Sequence, residues 1–309
     1  MPVGIGAGGF VGLGLESTPG TYASPDKFFP IRSENLLWQQ ETNWRRVIRG
    51  TADVIGAVPG DGHVEGDIET EALEDVLPWF LAIARGTLTE DTGVYTFVPS
   101  NAAVPSRTAS ITVVRNDVVF GYTGIVVSSM SFTIDNGMLV SSFSLLGQEE
   151  EEQSAPTPTY DDTGPFGAGT YNVQIPTGTT VEDTDNLTLE INDNGEVQNR
   201  LLDRRGAAFV SYGERDVSAS VDRDFTSRAE YDSFKAYTAE ELTIRTEKES
   251  DEFIQFLLRS SIKDSFDIGL SGVGDLIRAS TQYVATDTPA GDGSYEITVG
   301  TDEVVPLGP

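Results

Sequence analysis

HVEGDIETEALEDVLPWFLAIARG, residues 63–86, changes its period partway along. Over His63–Glu71 apolar and polar side chains alternate, the two-residue period of a strand with one face buried. From Glu71 onward Leu73, Val76, Leu77, Phe80, Leu81 and Ala84 recur every three or four residues. That spacing predicts a helix over Glu71–Gly86 with this stripe as its core face and Gly86 as its stop. The same change of period returns in the second half of the chain. DVSASVDRD (Asp216–Asp224) alternates like a strand, and RAEYDSFKAYTAEE (Arg228–Glu241) follows with Tyr231, Phe234 and Tyr237 at helical spacing.

Working outward, the resemblance extends in both directions. SENLLWQQE (Ser33–Glu41) precedes the first strand as TDNLTLEIN (Thr184–Asn192) precedes the second. SITVVRNDVVFGYTGIVVSS (Ser110–Ser129) follows the first helix as LTIRTEKESDEFIQFLLRSS (Leu242–Ser261) follows the second. The spacings agree: Asn35 to Val64 is 29 positions and Asn186 to Val217 is 31, while Ile111 to Ser128 is 17 and Ile244 to Ser260 is 16. The middle differs because the first copy carries extra residues around Thr87–Arg107. A shared order of strand, long loop, strand, helix, strand, strand indicates an internal duplication. Asp135-Asn136-Gly137, between a run with Met130, Phe132 and Ile134 on one face and a run carrying Leu139, Phe143 and Leu145, predicts a hairpin. Glu149–Glu152 and the Pro- and Gly-bearing stretch after it read as a linker.

The expected fold is mainly β (α+β), with two tandem β-sandwich or barrel domains, each flanked by one α-helix. The boundaries are an extended glycine-rich arm at 1–30, with a short strand at Phe10–Glu16, a first domain at 31–150, a linker at 151–170 and a second domain at 171–309.

Composition narrows the function. The 309 residues carry 49 acids against 20 Lys and Arg, a net charge of −29. The excess lies in both halves: 20 acids and 8 bases precede residue 161, and 29 acids and 12 bases follow. Such a surface repels the phosphate backbone, which argues against ordinary nucleic-acid binding. Solubility, adaptation to high salt and the wall of a conduit that does not grip DNA all remain compatible with it. No apolar run reaches the ~20 residues of a membrane helix, and the longest, Val76–Ala84, is broken by Pro78. The N-terminus lacks the basic and apolar segments of a signal peptide, so none is expected. With no cysteine there are no disulfides or thiolate metal sites.

Catalytic chemistry finds little support, and no catalytic, cofactor-binding or metal-binding residues are expected. His63 is the sole histidine and opens a strand. Acid pairs such as Glu69/Glu71 follow from the abundance of acids. Gly4-Ile5-Gly6-Ala7-Gly8-Gly9 matches a dinucleotide fingerprint by letter, but too few residues precede it for a strand and Pro19 follows. Asp183–Asn194 is rich in Asp and Asn yet lacks the glycine and closing glutamate of a calcium loop, and reads as a turn-rich strand edge.

GLGLESTPGTYASPDKFFPIRSENL (Gly12–Leu36) resembles the opening of major tail tube proteins of siphophage-like tailed viruses. The matching residues are Glu16, Gly20 and Thr21 of a Glu-x-x-x-Gly-Thr turn, Pro25, and Ser33, Asn35 and Leu36 at the start of a strand. The resemblance is strongest over residues 10–150 and reaches the second half through the repeat. It implies a non-enzymatic virion protein of the two-domain type, whose β-sandwiches build stacked rings into a hollow tail tube passing double-stranded DNA. Single-domain members make six-subunit rings, so a duplicated chain implies a homotrimeric ring with pseudo-sixfold symmetry. The implied partners are further copies of the chain, tape-measure, tail-terminator and distal tail proteins, and DNA in transit without specific binding, with no membrane involved.

A conduit wall must be acidic or small and polar, since basic side chains pair with phosphates. The best alternating strands offer Glu65, Asp67 and Glu69, their counterparts Asp216 and Asp222, and the hairpin face Ser129, Ser131 and Thr133. Candidate contacts between rings are Phe10, Trp44, Arg45, Arg46 and Arg49. Residues 1–30 and the long loop Gln40–Gly62 hold few apolar side chains, and are expected to order only against neighbouring subunits. The competing reading is a two-domain binding or adhesion module on a virion or cell surface. Its aromatic groove would draw on Trp38, Trp44 or Trp79, of which Trp38 and Trp79 sit on a strand and a helix core face. A carboxylate hydrolase is the more distant alternative.

Overall fold

The computed structural model describes residues 8–47, 53–160, 164–167, 169–182, 184–200, 205–269, 276–288, 291 and 293–307. The first half runs β1 (Phe10–Leu15), β2 (Lys27–Phe29), β3 (Ser33–Glu34), β4 (Leu37–Arg45), β5 (Gly56–Glu71), α1 (Leu77–Ala82), β6 (Gly86–Asp91), β7 (Val94–Pro99), β8 (Ala109–Arg115), β9 (Val118–Asp135), β10 (Met138–Gly147) and β11 (Glu149–Glu152). The second half runs β12 (Tyr171–Gln174), β13 (Thr184–Asn192), β14 (Gly195–Gln198), β15 (Phe209–Tyr212), β16 (Asp216–Asp224), α2 (Arg228–Lys235), β17 (Glu240–Glu247), β18 (Phe253–Gly269), β19 (Arg278–Ala285) and β20 (Tyr295–Gly300). The protein is mainly β, and among the described residues the strand pairings are antiparallel.

Strand neighbours repeat between the halves. The first half orders its strands β4-β5-β10-β9-β8-β1, and the second β13-β16-β19-β18-β17-β12. Even the irregularities recur. The register slips between Ala109 and Ile111 against β9, and between Glu240 and Leu242 against β18. A second slip leaves Ser128 as the extra residue in β9, and its counterpart leaves Asp264 extra in β18. Each bulge bends its strand, so the first part of β9 or β18 serves one layer of a sandwich and the last part the other.

The predicted hairpin is present: Asn136 and Gly137 both take positive φ, as a two-residue turn joining β9 and β10 requires. Its apolar side forms the core. Phe143 stacks on Phe80 of α1 at 4.0 Å, and Phe80 meets Phe29 edge-on at 5.3 Å. The two repeats also share strands, since β13 pairs with β9 and β20 with β7.

Several expectations are corrected. The first helix spans Leu77–Ala82 with Pro78 in its first turn, and all six of its residues are buried, not a stripe alone. The second, Arg228–Lys235, has no buried residue, and Tyr237 beyond it is 74% exposed. Gln40–Gly62 is no loop over most of its length: β4 and β5 continue through it as a paired ribbon to Arg45 and Gly56. The extra residues after Thr87 form the β6–β7 hairpin. The arm is not free from Phe10 onward, because β1 pairs with both β8 and β2, and Val11 and Leu13 are fully buried. Glycine there serves close packing: a Cβ on Gly14 would lie 2.2 Å from the Ser24 carbonyl oxygen of the returning chain. Glu16 follows directly, accepting hydrogen bonds from Gly20 N–H, Gly124 N–H, Thr108 Oγ1 and Ser110 Oγ at 2.6–2.8 Å. The Glu-x-x-x-Gly turn therefore closes on the sheet.

The register also moves one repeat match. Trp38 lies opposite Val64 as Ile191 lies opposite Val217, so Ser33–Glu41 corresponds to its partner strand two residues away from the match made by sequence. A slip of two keeps every side chain on its face, so alternation alone does not detect it.

Candidate functional site

One face of the sheet formed by β4, β5, β10, β9, β13, β16, β19 and the end of β18 is largely polar, interrupted by Leu37 opposite Glu65, Val140 opposite Thr133 and Val284 opposite Ser218. Directly opposed residues in an antiparallel sheet share a face, so the pairings trace it. One row runs Glu69, Ser142, Ser131, Glu190, Ser218. The next runs Asp67, Ser144, Ser129, Asn192, Asp216. Glu65, Thr133 and Asp222 lie an even number of residues from members of these rows and join the same face. All eight wall candidates, drawn from β5, β9 and β16, are thus brought together on one surface. Their opposite sides are core: Val64, Ile68, Phe143, Met130, Phe132, Leu189, Ile191 and Val217 are all buried.

Hydroxyls and acids order one another on this face. Ser144 Oγ donates to Asp67 Oδ1 at 2.6 Å, and His63 Nε2 lies 3.3 Å from Glu65 Oε2. At its margin Arg32 sits 2.9 Å from Asp135 and 3.7 Å from Glu69, and the hydrogen bond to Asp135 holds its pKa above the ordinary value. Among the described residues, no three His, Asp or Glu converge to hold a metal ion.

The candidate ring contacts fall in different places. Trp44, 61% exposed, and Arg45 and Arg46 project from the outer end of the β4–β5 ribbon. Arg49 lies outside the described residues. Phe10 is on β1, half-buried against Phe28 with ring centroids 5.9 Å apart, well inside the first repeat.

Sequence reasoning missed the joint between the repeats. Asp193, just past β13, is buried and accepts from Arg215 Nε at 2.7 Å, with Arg85 Nη1 3.5 Å away. Arg85 also donates to the Ala102 and Gly213 carbonyls, and Arg215 to those of Arg85 and Ser100. Burial pushes the Asp193 carboxyl pKa up, against the pull of the two guanidiniums. The only signal was an acid-rich turn, indistinguishable in sequence from a solvated one. Nearby, Trp79 Nε1 of α1 donates to Glu303 Oε1 from the C-terminal stretch, so the second repeat also covers the first repeat's helix.

Comparison with known proteins places these features in a family context. A family model described as phage tail tube protein matches residues 6–300. No curated protein matches the chain.

Proposed function

The chain belongs to the phage tail tube protein family and is a structural component of the virion tail, and from this we propose that it assembles as homotrimeric rings that stack into the hollow tube through which double-stranded DNA passes. The carrying observation is the polar face shared by both repeats. Each chain offers eight strands to it, four from each repeat, so three chains close a barrel with pseudo-sixfold symmetry. At ~4.8 Å between strands and a tilt of about 40°, such a barrel measures about 48 Å between backbones, wide enough to pass a duplex. The acids and hydroxyls of that face, Glu65, Asp67, Glu69, Asp216, Asp222, Ser129, Ser131 and Thr133, then form the wall. Acidic charge keeps phosphates from binding, and short hydroxyl side chains leave the bore smooth. Trp44, Arg45 and Arg46 on the projecting ribbon are placed to meet the adjacent ring. The organisation proposed is that of siphophage-like tails, with tape-measure, terminator and distal tail proteins as partners at the tube's interior and ends.

Cryo-electron microscopy of the purified protein tests the reading. Tubes with three chains per ring, and with the β5 and β16 acids and the β9 hydroxyls facing the bore, are expected. Six chains per ring would overturn the trimer, an Arg-rich bore would overturn the wall, and protein that stays monomeric at high concentration would overturn the tube.

A further inference from the structure

We propose that neighbouring chains are joined by strand pairing, with β4 of one copy adding antiparallel to residues 265–269 of β18 in the next, Trp38 opposite Phe266 and Leu36 opposite Ile268. This rests on the ring reading and supplies the partner of two strand edges.

The template lies within the chain. Where the repeats meet, β13 pairs antiparallel with the end of β9: Ile191 faces Met130, Leu189 faces Phe132, and all four are at most 2% exposed. On the polar side Asn192 faces Ser129 and Glu190 faces Ser131. The carbonyl of the bulge residue Ser128 accepts from Asp193 N–H at 3.0 Å.

The repeat carries this junction to the open ends. Tyr122 opposite Ile111 and Leu258 opposite Leu242 are 136 positions apart, as are the bulge residues Ser128 and Asp264, so β9 maps onto β18 without ambiguity. Ser144 on Asp67 and Gln282 on Ser220 fix the offset between β5 and β16 at 153, and Trp38 and Ile191 keep it. The counterparts of Met130 and Phe132 are therefore Phe266 and Ile268, and those of Ile191 and Leu189 are Trp38 and Leu36. Gln39 falls opposite Ser265, Leu37 opposite Asp267, and the Asp264 carbonyl meets Gln40 N–H. No acid faces an acid in this register, although the chain carries 49.

Both strands have the room and the need. Among the described residues, β18 beyond Ser261 pairs with β19 alone, and β4 pairs with β5 alone. Long unpaired edges with apolar side chains attract a further strand. Ile268 is 41% exposed and Leu37 46%, while Phe266 and Trp38 are half-covered. Trp38 already lies flat over Gly62, where a Cβ would be 2.1 Å from its ring. The helices point the same way. At the occupied junction α1 is buried throughout, whereas at the open one α2 has no buried residue, and its Tyr231 and Phe234 rings, like that of Phe225, pack against Phe266. Pairing by β4 of the next copy gives Phe266 the cover that Met130 has.

Cysteine pairs test the register, since the chain has no cysteine of its own. Gln39→Cys with Ser265→Cys, oxidised after assembly, is expected to give covalent dimers and trimers on non-reducing gels. Ser129→Cys with Asn192→Cys, the same position within one chain, is the geometric control and is expected to cross-link inside the monomer. Tubes of the first variant that stay uncross-linked while the control reacts would overturn the pairing and leave the tube reading intact. Cross-linking by Ser265→Cys alone would replace it with a symmetric β18–β18 contact. A second variant, Ile268→Asp, is expected to keep the monomer's circular dichroism and melting temperature yet form no rings. Normal rings from it would also overturn the proposal, whereas absence of tubes from the unmodified chain would fail the ring reading itself.

Discussion

At the scale of single residues, the joint between the repeats depends on charges held out of water. Asp193 is 2% exposed and faces two guanidiniums that also serve backbone carbonyls. Removing the side chain takes the acceptor away from the buried Arg215 Nε donor, so Asp193→Ala is expected to cost about 1–3 kcal/mol, read as a lowered midpoint in urea. The pH dependence follows from the direction of the shift. Burial raises the Asp193 pKa, and burial likewise raises that of Glu74 despite Lys248 Nζ at 2.7 Å. The fold therefore holds these protons more tightly than the unfolded chain, and the contribution of both groups falls as pH climbs from the ordinary carboxylate pKa through the raised one. Acidifying from neutrality into that window is expected to raise the melting temperature, and Asp193→Asn to flatten the slope. A carboxylate that dominates stability would show the opposite sign.

Among elements, β1 is where a glycine-rich sequence misleads. Gly12 and Gly14 read as flexibility, yet they let the chain at Ala23–Phe28 pack against the strand. Val11 and Leu13, on either side of Gly12, are in the core, and Glu16 caps the strand with four hydrogen bonds. Deleting residues 1–25 is accordingly expected to abolish cooperative folding, not assembly alone. Leu13→Ala is the milder probe, with a loss of about 2–5 kcal/mol. A truncated protein with an unchanged circular dichroism melt would contradict the role assigned to β1. The helices differ for a related reason: both have aromatic residues at helical spacing, but only α1 has a second repeat lying over it.

For the whole molecule, charge decides what the shared face does. A net charge of −29 destabilises the compact chain through self-repulsion, and salt screens it. Reversing Asp67, Glu69 and Glu190 to Lys on the polar face is expected to leave the fold intact, since these side chains point away from the core. The same change is expected to make assembled tubes retain duplex DNA at low salt and release it as salt rises. A gel-shift titration reads this, and reversal without DNA retention would remove these residues from the wall.

Alternation along His63–Glu71 and Asp216–Asp224, the Asp-Asn-Gly turn and the recurrence of both in order were enough to establish a mainly-β chain and to predict two like halves. Each rests on contacts between near neighbours, which period and turn chemistry report directly. The shared polar face was legible in parts, because every strand on it alternates. That eight residues from three strands lie on one surface depended on register, which a period of two leaves free to slip by two. The Arg85–Asp193–Arg215 joint, the burial of α1 and the open edges of β4 and β18 came only from the tertiary structure. They arise where segments more than a hundred residues apart meet, and no local pattern encodes which acid loses its water or which strand edge is left unpaired.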